Sequence, residues 1–213
     1  MDIYIMAGGP EDHHPDLDVC KNAGVVWAAV DRGVYYLLKK GIVPNVAFGD
    51  YDSVTEEELA WIEKKLKHIH IVPREKDETD LELALHWAIE QRPNAIWILG
   101  ATGGRLDHAL ANVQMLIKGV EAGICMKIID YKNEITLKKP GLYHIEADVK
   151  YPYLSFLPMT EKVTGITLEG VKYPLQNKTI YWGSTLCISN ELVEEKGTFS
   201  FATGILMVIR STD

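Results

Sequence analysis

Cysteine is scarce in this chain: Cys20, Cys125 and Cys187 are the three, they lie far apart, and no C-x-x-C pair exists. So few and so scattered, they exclude a disulfide framework and a clustered zinc site, and predict buried thiols in a reducing cytoplasm. Long apolar runs are missing as well. Gly8-Gly9-Pro10 stops the first one early and no basic segment precedes it, which predicts neither a signal peptide nor a membrane anchor. Positive charge is in deficit, with a formal net charge of -8, and this argues against broad binding to nucleic acid or to an anionic membrane. An anionic substrate stays open, because a metal and a few local bases can neutralise phosphate. Neither a low-complexity tract nor an internal repeat occurs, and neither the Walker spacing nor G-x-G-x-x-G is present.

What is there reads as a folded α/β chain. With 213 residues and 47% hydrophobic composition the chain can bury a sizeable core. Ile3–Ala7, Gly24–Val30, the segment ending at Val46-Ala-Phe48, His68–Val72 and Ala95–Leu99 read as strands. Gly33–Lys39, Thr55–Lys67, Thr79–Gln91 and Arg105 to about Lys118 read as helices between them. Thr55 with Glu58 forms a capping box, and Thr79 is a good N-cap. Alternating strands and helices predict a doubly wound, mostly parallel sheet. After Ile124 the pattern changes to short strand-like segments: Cys125–Ile129, Glu134–Leu137, Tyr143–Ala147, Tyr151–Phe156, Val163–Leu168, Gly183–Ser189 and Thr198–Ile209, with Gln176-Asn177 as a turn. That half predicts an antiparallel β-sandwich. The division falls at 1–130 and 131–213.

Chemistry-bearing residues gather at strand ends. In Gly49-Asp50-Tyr51-Asp52-Ser53 two carboxylates lie two residues apart, so in extended chain they project together. Like charges that close are relieved by a hard cation, and Mg²⁺ suits carboxylate oxygen; a polar turn is the alternative. Asp31-Arg32-Gly33 closes the second strand, where Asp31 serves either a ribose or base contact or a helix cap. Lys76-Asp77-Glu78-Thr79-Asp80 places acids and a cap at a helix start. Gly100-Ala-Thr102-Gly103-Gly104 follows a strand and leads into Arg105-Leu-Asp107-His108. Strand, glycine loop and helix start form an arrangement that wraps phosphates with backbone N–H groups, or else only a tight turn with a cap. Asp12-His13-His14 resembles a phosphoesterase signature, but a solvated loop is the favoured reading. Tyr173, Trp182 and the nearby Ser and Asn side chains offer a surface for a small aromatic heterocycle, or simply core and turn residues.

Taken in order, the clusters at 49–53, 76–80 and 100–108, with Asp31-Arg-Gly33 and Ser189-Asn190, closely resemble the thiamine pyrophosphokinase (thiamine diphosphokinase) family over essentially the whole chain. The resemblance implies transfer of a pyrophosphoryl group from ATP to thiamine, giving thiamine diphosphate and AMP, in a cytoplasmic homodimer with thiamine held between subunits. It implies that the N-terminal domain binds ATP and Mg²⁺, with Asp50, Asp52 and Asp80 as metal ligands. Asp31, Gly33, Ser53, Asp77, Thr79, Gly100, Thr102, Gly103, Gly104 and Arg105 then match the ATP side. Asp107, His108, Trp182, Ser184, Ser189 and Asn190 match the thiamine side. Catalysis falls to Asp50, Asp52, Asp77, Asp80, Arg105 and Asp107, the proton acceptor being Asp107 or Asp77. A metal-dependent phosphoesterase and a non-catalytic nucleotide- or thiamine-binding module are the rival readings.

Overall fold

The computed structural model describes residues 1–17, 24–49, 54–66 and 78–213, with 70–72 as backbone. The chain divides into two compact units, Met1–Tyr131 and Lys132–Asp213.

In the first unit, strands β1 (Asp2–Met6), β2 (Val25–Val30), β3 (Val46–Phe48), β4 (His70–Val72), β5 (Ala95–Leu99) and β6 (Cys125–Ile129) run parallel in the order β6-β5-β1-β2-β3-β4. Helices α1 (Gly33–Lys39), α2 (Glu56–Lys65), α3 (Asp80–Glu90) and α4 (Leu106–Ala122) connect them. The starts of α2 and α3 are legible in local chemistry. The Thr55 hydroxyl accepts from the Glu58 N–H while the Glu58 carboxylate takes the Thr55 N–H, so the capping box is formed. The Thr79 hydroxyl accepts from the Glu82 N–H at the start of α3. At the other end of α4, Gly123 adopts φ 71, a left-handed cap with nothing within 4 Å of where a Cβ would stand.

Both faces of the sheet are covered, which is why β2 and β5 read as apolar runs rather than alternating ones. On one face Met6, Trp27, Ala29, Ala47 and Leu99 pack with Val34, Leu37 and Leu38 of α1 and Ile62 of α2. On the other, Ala84, Leu85 and Ala88 of α3 are buried, α3 lies against β1, β2 and β3, and Trp87 meets the Phe48 ring at 6.0 Å. Each fully buried Leu or Phe stabilises by about 1.5–3 kcal/mol relative to exposure. None of the described helices is long and apolar enough to cross a membrane.

The second unit is wholly antiparallel. Strands β9 (Tyr153–Pro158), β12 (Asn190–Glu191), β14 (Leu206–Ser211) and β7 (Asn133–Lys138) follow the order β12-β9-β14-β7. Strands β8 (Gly141–Glu146), β10 (Lys162–Glu169), β11 (Leu175–Tyr181) and β13 (Lys196–Phe201) follow the order β11-β10-β13-β8. Leu154, Phe156, Leu206 and Val208 from the first sheet share a core with Val163, Ile166, Leu168, Phe199 and Phe201 from the second. This is a β-sandwich, held by the inward-facing alternate residues of its strands.

Three expectations for this unit are corrected. Gly183–Ser189 is not a strand. The Ser184 N–H bonds back to the Tyr181 carbonyl at 2.9 Å and the Leu186 N–H to the Ser184 hydroxyl at 3.3 Å, so local turn bonds replace a ladder. Gln176-Asn177 is not a turn but lies inside β11, where Asn177 has φ 49 and the register against β10 shifts. Thr198–Ile209 is two strands, because Gly204 at φ 92 lets the chain leave one sheet and enter the other.

Candidate functional site

The strand order reverses between β1 and β5: from β1 the chain builds outward through β2, β3 and β4, then returns to place β5 and β6 on the other side. In open α/β sheets the crevice outside the carboxyl ends at such a reversal is where ligands bind. Here that crevice is lined by two glycine turns, Gly8-Gly9 after β1 and Gly100–Gly104 after β5. They are in direct contact. The Gly9 N–H donates to the Gly100 carbonyl at 2.8 Å, a Cβ on Gly9 would run into the Gly100 and Thr102 carbonyls, and one on Gly100 into the Ala7 carbonyl just before the first turn. Gly100 has φ 64 and Gly103 φ 81, conformations that glycine enters without strain.

The turns after β2 and β3 adjoin the same edge. The Asp31 N–H donates to the Phe48 carbonyl at 2.9 Å, and Asp31 itself has φ 48. Gly49, at φ 117, passes so close to the Asp31 carboxylate that a Cβ there would collide with it. The helix-cap alternative for Asp31 fails, since the N-cap of α1 is Arg32 and makes no side-chain cap bond. Gly33 is buried, and a Cβ on it would strike the Met6 carbonyl, so its size serves the packing of α1 on β1. Arg32 reaches Glu58 at 2.5 Å and ties this turn to the first turn of α2. Asp80 is the first residue of α3, half-buried, with exposed Thr79 before it. Asp50, Asp52, Ser53 and Asp77 lie outside the described residues.

Arg105 and Asp107 hold each other at the mouth of the β5 loop. Arg105 Nε donates to Asp107 Oδ1 at 3.1 Å and its Nη2 to Oδ2 at 2.6 Å. The Arg105 guanidinium, helped by the His108 N–H, lowers the Asp107 carboxyl to about 2. Both side chains are exposed, so the pair is readily exchanged for another anion. His108 is exposed on the first turn of α4.

Two residues at this site, Asp130 and Asn112, carried no signal of their own in the sequence, and His14 stood out only within Asp12-His13-His14. The Thr102 hydroxyl donates to Asp130 Oδ2 at 2.6 Å, and Asp130 is 3% exposed at the end of β6. Asn112 Nδ2 in α4 donates to the Ala101 carbonyl at 2.8 Å. His14 Nε2 meets the Gly9 carbonyl at 2.8 Å. In the Asp12-His13-His14 segment Asp12 and His13 are exposed, as expected of a solvated loop, and only His14 turns inward. Glu11–His13 is a short 3₁₀ turn, His13 stands against Gly103, and burial lowers the His14 pKa below 6.5. A separate group, Glu78, Glu82 and His86, converges on one face of α3. There the Lys118 ammonium supplies the cation, 3.0 Å from both Glu82 and His86, and links α3 to α4.

In the second unit Trp182 is 66% exposed and Ser184 half-buried, while Ser189 is exposed at φ 56. Asn190 is 2% exposed, and its amide is spent internally. Oδ1 accepts from the Tyr173 and Glu191 N–H groups, each at 3.0 Å, and Nδ2 donates to the Tyr173 carbonyl at 2.9 Å. The Asn190 side chain, matched by resemblance to the thiamine side, braces the backbone of Tyr173, a residue 58% exposed.

Comparison with known proteins covers both units. Residues 18–128 match the family described as "Thiamin pyrophosphokinase, catalytic domain", and residues 142–206 match "Thiamin pyrophosphokinase, vitamin B1 binding domain". The chain is 52% identical over 211 residues to the thiamine pyrophosphokinase of Bacillus subtilis, covering 99% of each. It superposes on a crystal structure of a Bacillus subtilis thiamine pyrophosphokinase with TM-score 0.98, at 51% identity and complete coverage of both. The thiamin pyrophosphokinase of Geobacillus thermodenitrificans is similar too, with TM-score 0.94 and 47% identity over 100% of this chain and 98% of that one. With both domains matched in order and the relatives covered end to end, the chain belongs to the thiamine pyrophosphokinase family.

Proposed function

We propose that this chain transfers a pyrophosphoryl group from ATP to the hydroxyethyl oxygen of thiamine, releasing thiamine diphosphate and AMP. The observation that carries the reading is the pair of touching glycine turns at the sheet's reversal point, in a chain matched over both family domains. The thiamine oxygen attacks the β-phosphorus while the bond to the α-phosphate oxygen breaks. Such transfer asks the protein mainly for in-line positioning and for stabilising charge on phosphate oxygens.

Backbone N–H groups of Gly100–Gly104 hold the phosphates, and Arg105 exchanges Asp107 for a phosphate oxygen. That exchange also bears on the proton. Paired with Arg105, Asp107 sits at about 2 and is a weak base. Drawing Arg105 onto phosphate removes the main cause of that depression, so Asp107 gains basicity as ATP binds. Asp77 is the alternative acceptor.

Asp50, Asp52 and Asp80 would hold Mg²⁺. Carboxylate oxygens are the right hard donors, and among the described residues Asp80 opens a helix and Gly49 passes close to the Asp31 carboxylate. When bound, the ion neutralises developing phosphate charge. The 1–130 domain would be the ATP and Mg²⁺ half and the 131–213 domain the thiamine and dimerisation half, in the cytoplasm. A homodimer is supported by exposed Leu106 and Leu110 on α4 and exposed Trp182, Leu186 and Ile188 in the second unit.

The test is incubation with ATP and Mg²⁺, with and without thiamine, measuring AMP and thiamine diphosphate. Equal yields of both, only when thiamine is present, are expected. Phosphate release without thiamine would instead indicate the phosphoesterase, and tight binding without AMP the non-catalytic module. Asp52→Ala should lower turnover more than tenfold, a barrier change above ~1.4 kcal/mol.

A further inference from the structure

We propose that Asp130, Asn112 and His14 are positioning residues that aim the phosphate loop, Asn112 and Asp130 by binding its Ala101 carbonyl and Thr102 hydroxyl, and His14 by holding Gly9, whose N–H donates to the Gly100 carbonyl. The proposal rests on the phosphate-holding role just given to Gly100–Gly104. A loop can bind an anion through its backbone only if N–H groups, not carbonyls, face the ligand. Every peptide unit carries both, so the carbonyls must be taken up elsewhere.

The first two carbonyls of the loop, those of Gly100 and Ala101, are taken up in this way. Asn112 Nδ2, rising from α4, takes the Ala101 carbonyl at 2.8 Å. The Gly100 carbonyl accepts from the Gly9 N–H at 2.8 Å, and the Gly9 carbonyl lies 2.8 Å from His14 Nε2. A carbonyl only accepts, so His14 carries its proton on that nitrogen. His14 is itself fixed edge-on to the Tyr36 ring, with centroids 4.6 Å apart. The fourth bond removes a side chain from the mouth: the Thr102 hydroxyl points back to Asp130 at 2.6 Å rather than outward. Thr102 therefore contributes its backbone, and Asp130, though buried at the end of β6 and remote in sequence, sets where that backbone lies. The Tyr131 N–H, next in the chain, closes the ring by donating to the His13 carbonyl at 2.9 Å.

The experiment measures binding of α,β-methylene-ATP with Mg²⁺ by calorimetry, alongside KM for ATP, KM for thiamine, kcat and Tm. The variants are Asp130→Ala, Asp130→Asn, Thr102→Val, Asn112→Ala and the double variant Thr102→Val/Asp130→Ala. Asp130→Ala should weaken nucleotide binding about tenfold, whereas Asp130→Asn, which keeps an acceptor for the Thr102 hydroxyl, should stay within about threefold of wild type. Thr102→Val should match Asp130→Ala, and the double variant should be no worse than either. KM for thiamine should move less than about twofold.

A purely structural role would lower Tm and shift both substrates together, which overturns the proposal. Equal losses for Asp130→Ala and Asp130→Asn, or multiplying losses in the double variant, also overturn it. Should Asp130→Ala not fold, Thr102→Val and Asn112→Ala carry the test, and unchanged nucleotide binding in both refutes it. A wild-type protein that binds the analogue yet makes no thiamine diphosphate would refute the enzymatic reading while leaving the loop test intact. One that does not bind the analogue refutes both the loop's phosphate role and its bracing.

Discussion

Replacing Gly100 by alanine isolates what the contact between the two glycine turns contributes. Two effects combine. Gly100 has φ 64, and placing an L-residue there costs about 1–2 kcal/mol. The added methyl would also stand 2.6 Å from the Ala7 carbonyl oxygen, 3.1 Å from Met6 and 3.2 Å from His14 Nε2. Backbone cannot yield as a side-chain tip does, so overlap of this kind adds about 1–3 kcal/mol. The total is roughly 2–5 kcal/mol, a large share of a stability of about 5–15 kcal/mol. Gly123→Ala is the internal control. Its φ is 71, but nothing lies within 4 Å of the new methyl, so only the backbone effect of about 1–2 kcal/mol remains. Urea unfolding gives both stabilities, and titration with α,β-methylene-ATP gives both affinities. Gly100→Ala should lose more stability than Gly123→Ala and bind the nucleotide at least tenfold more weakly, while Gly123→Ala binds as wild type. Equal destabilisation, or wild-type affinity in Gly100→Ala, would refute the idea that close approach of the turns shapes the site.

Asn190→Ala should cost about 1–3 kcal/mol in urea unfolding, because it strips partners from the part-buried Tyr173 N–H and carbonyl. Weaker thiamine binding at unchanged stability would instead mean that Asn190 touches thiamine directly. Arg105→Ala should return the Asp107 carboxyl from about 2 toward its ordinary 3.8, read by carboxyl ¹³C titration; no change would remove Arg105 as the cause. The sign follows. A lowered carboxylate adds stability that is present above pH 3.8 and lost as pH falls toward 2, so the variant should show less acid dependence in that window.

The two units and most elements of the first were legible because their signals are local. The Thr55–Glu58 capping box and the Thr79 cap act over three residues, and each formed where its pattern stands. The glycine loop after β5 was legible for the same reason: a strand ends, glycines turn, and a helix begins within a few residues. Where the second unit was misread, equally local chemistry had two outcomes. Ser184 and Thr185 take turn bonds here, and the segment is held to β9 by the Phe156 N–H on the Cys187 carbonyl at 2.9 Å and the Ser189 N–H on the Ser155 hydroxyl at 3.0 Å, contacts remote in sequence.

The amino-acid order by itself determined that strand ends would carry acids and glycines, and that α/β would give way to all-β. Tertiary structure alone decided that β5 lies beside β1, and so which two glycine turns meet. It alone paired Thr102 with Asp130, 28 residues apart, and Arg32 with Glu58, 26 apart. It also turned Asn190 inward to Tyr173. Propensity and capping act between near neighbours along the chain. These other bonds exist only because burial of the apolar faces settled the strand order first, and that is a property of the packed sheet rather than of any single stretch.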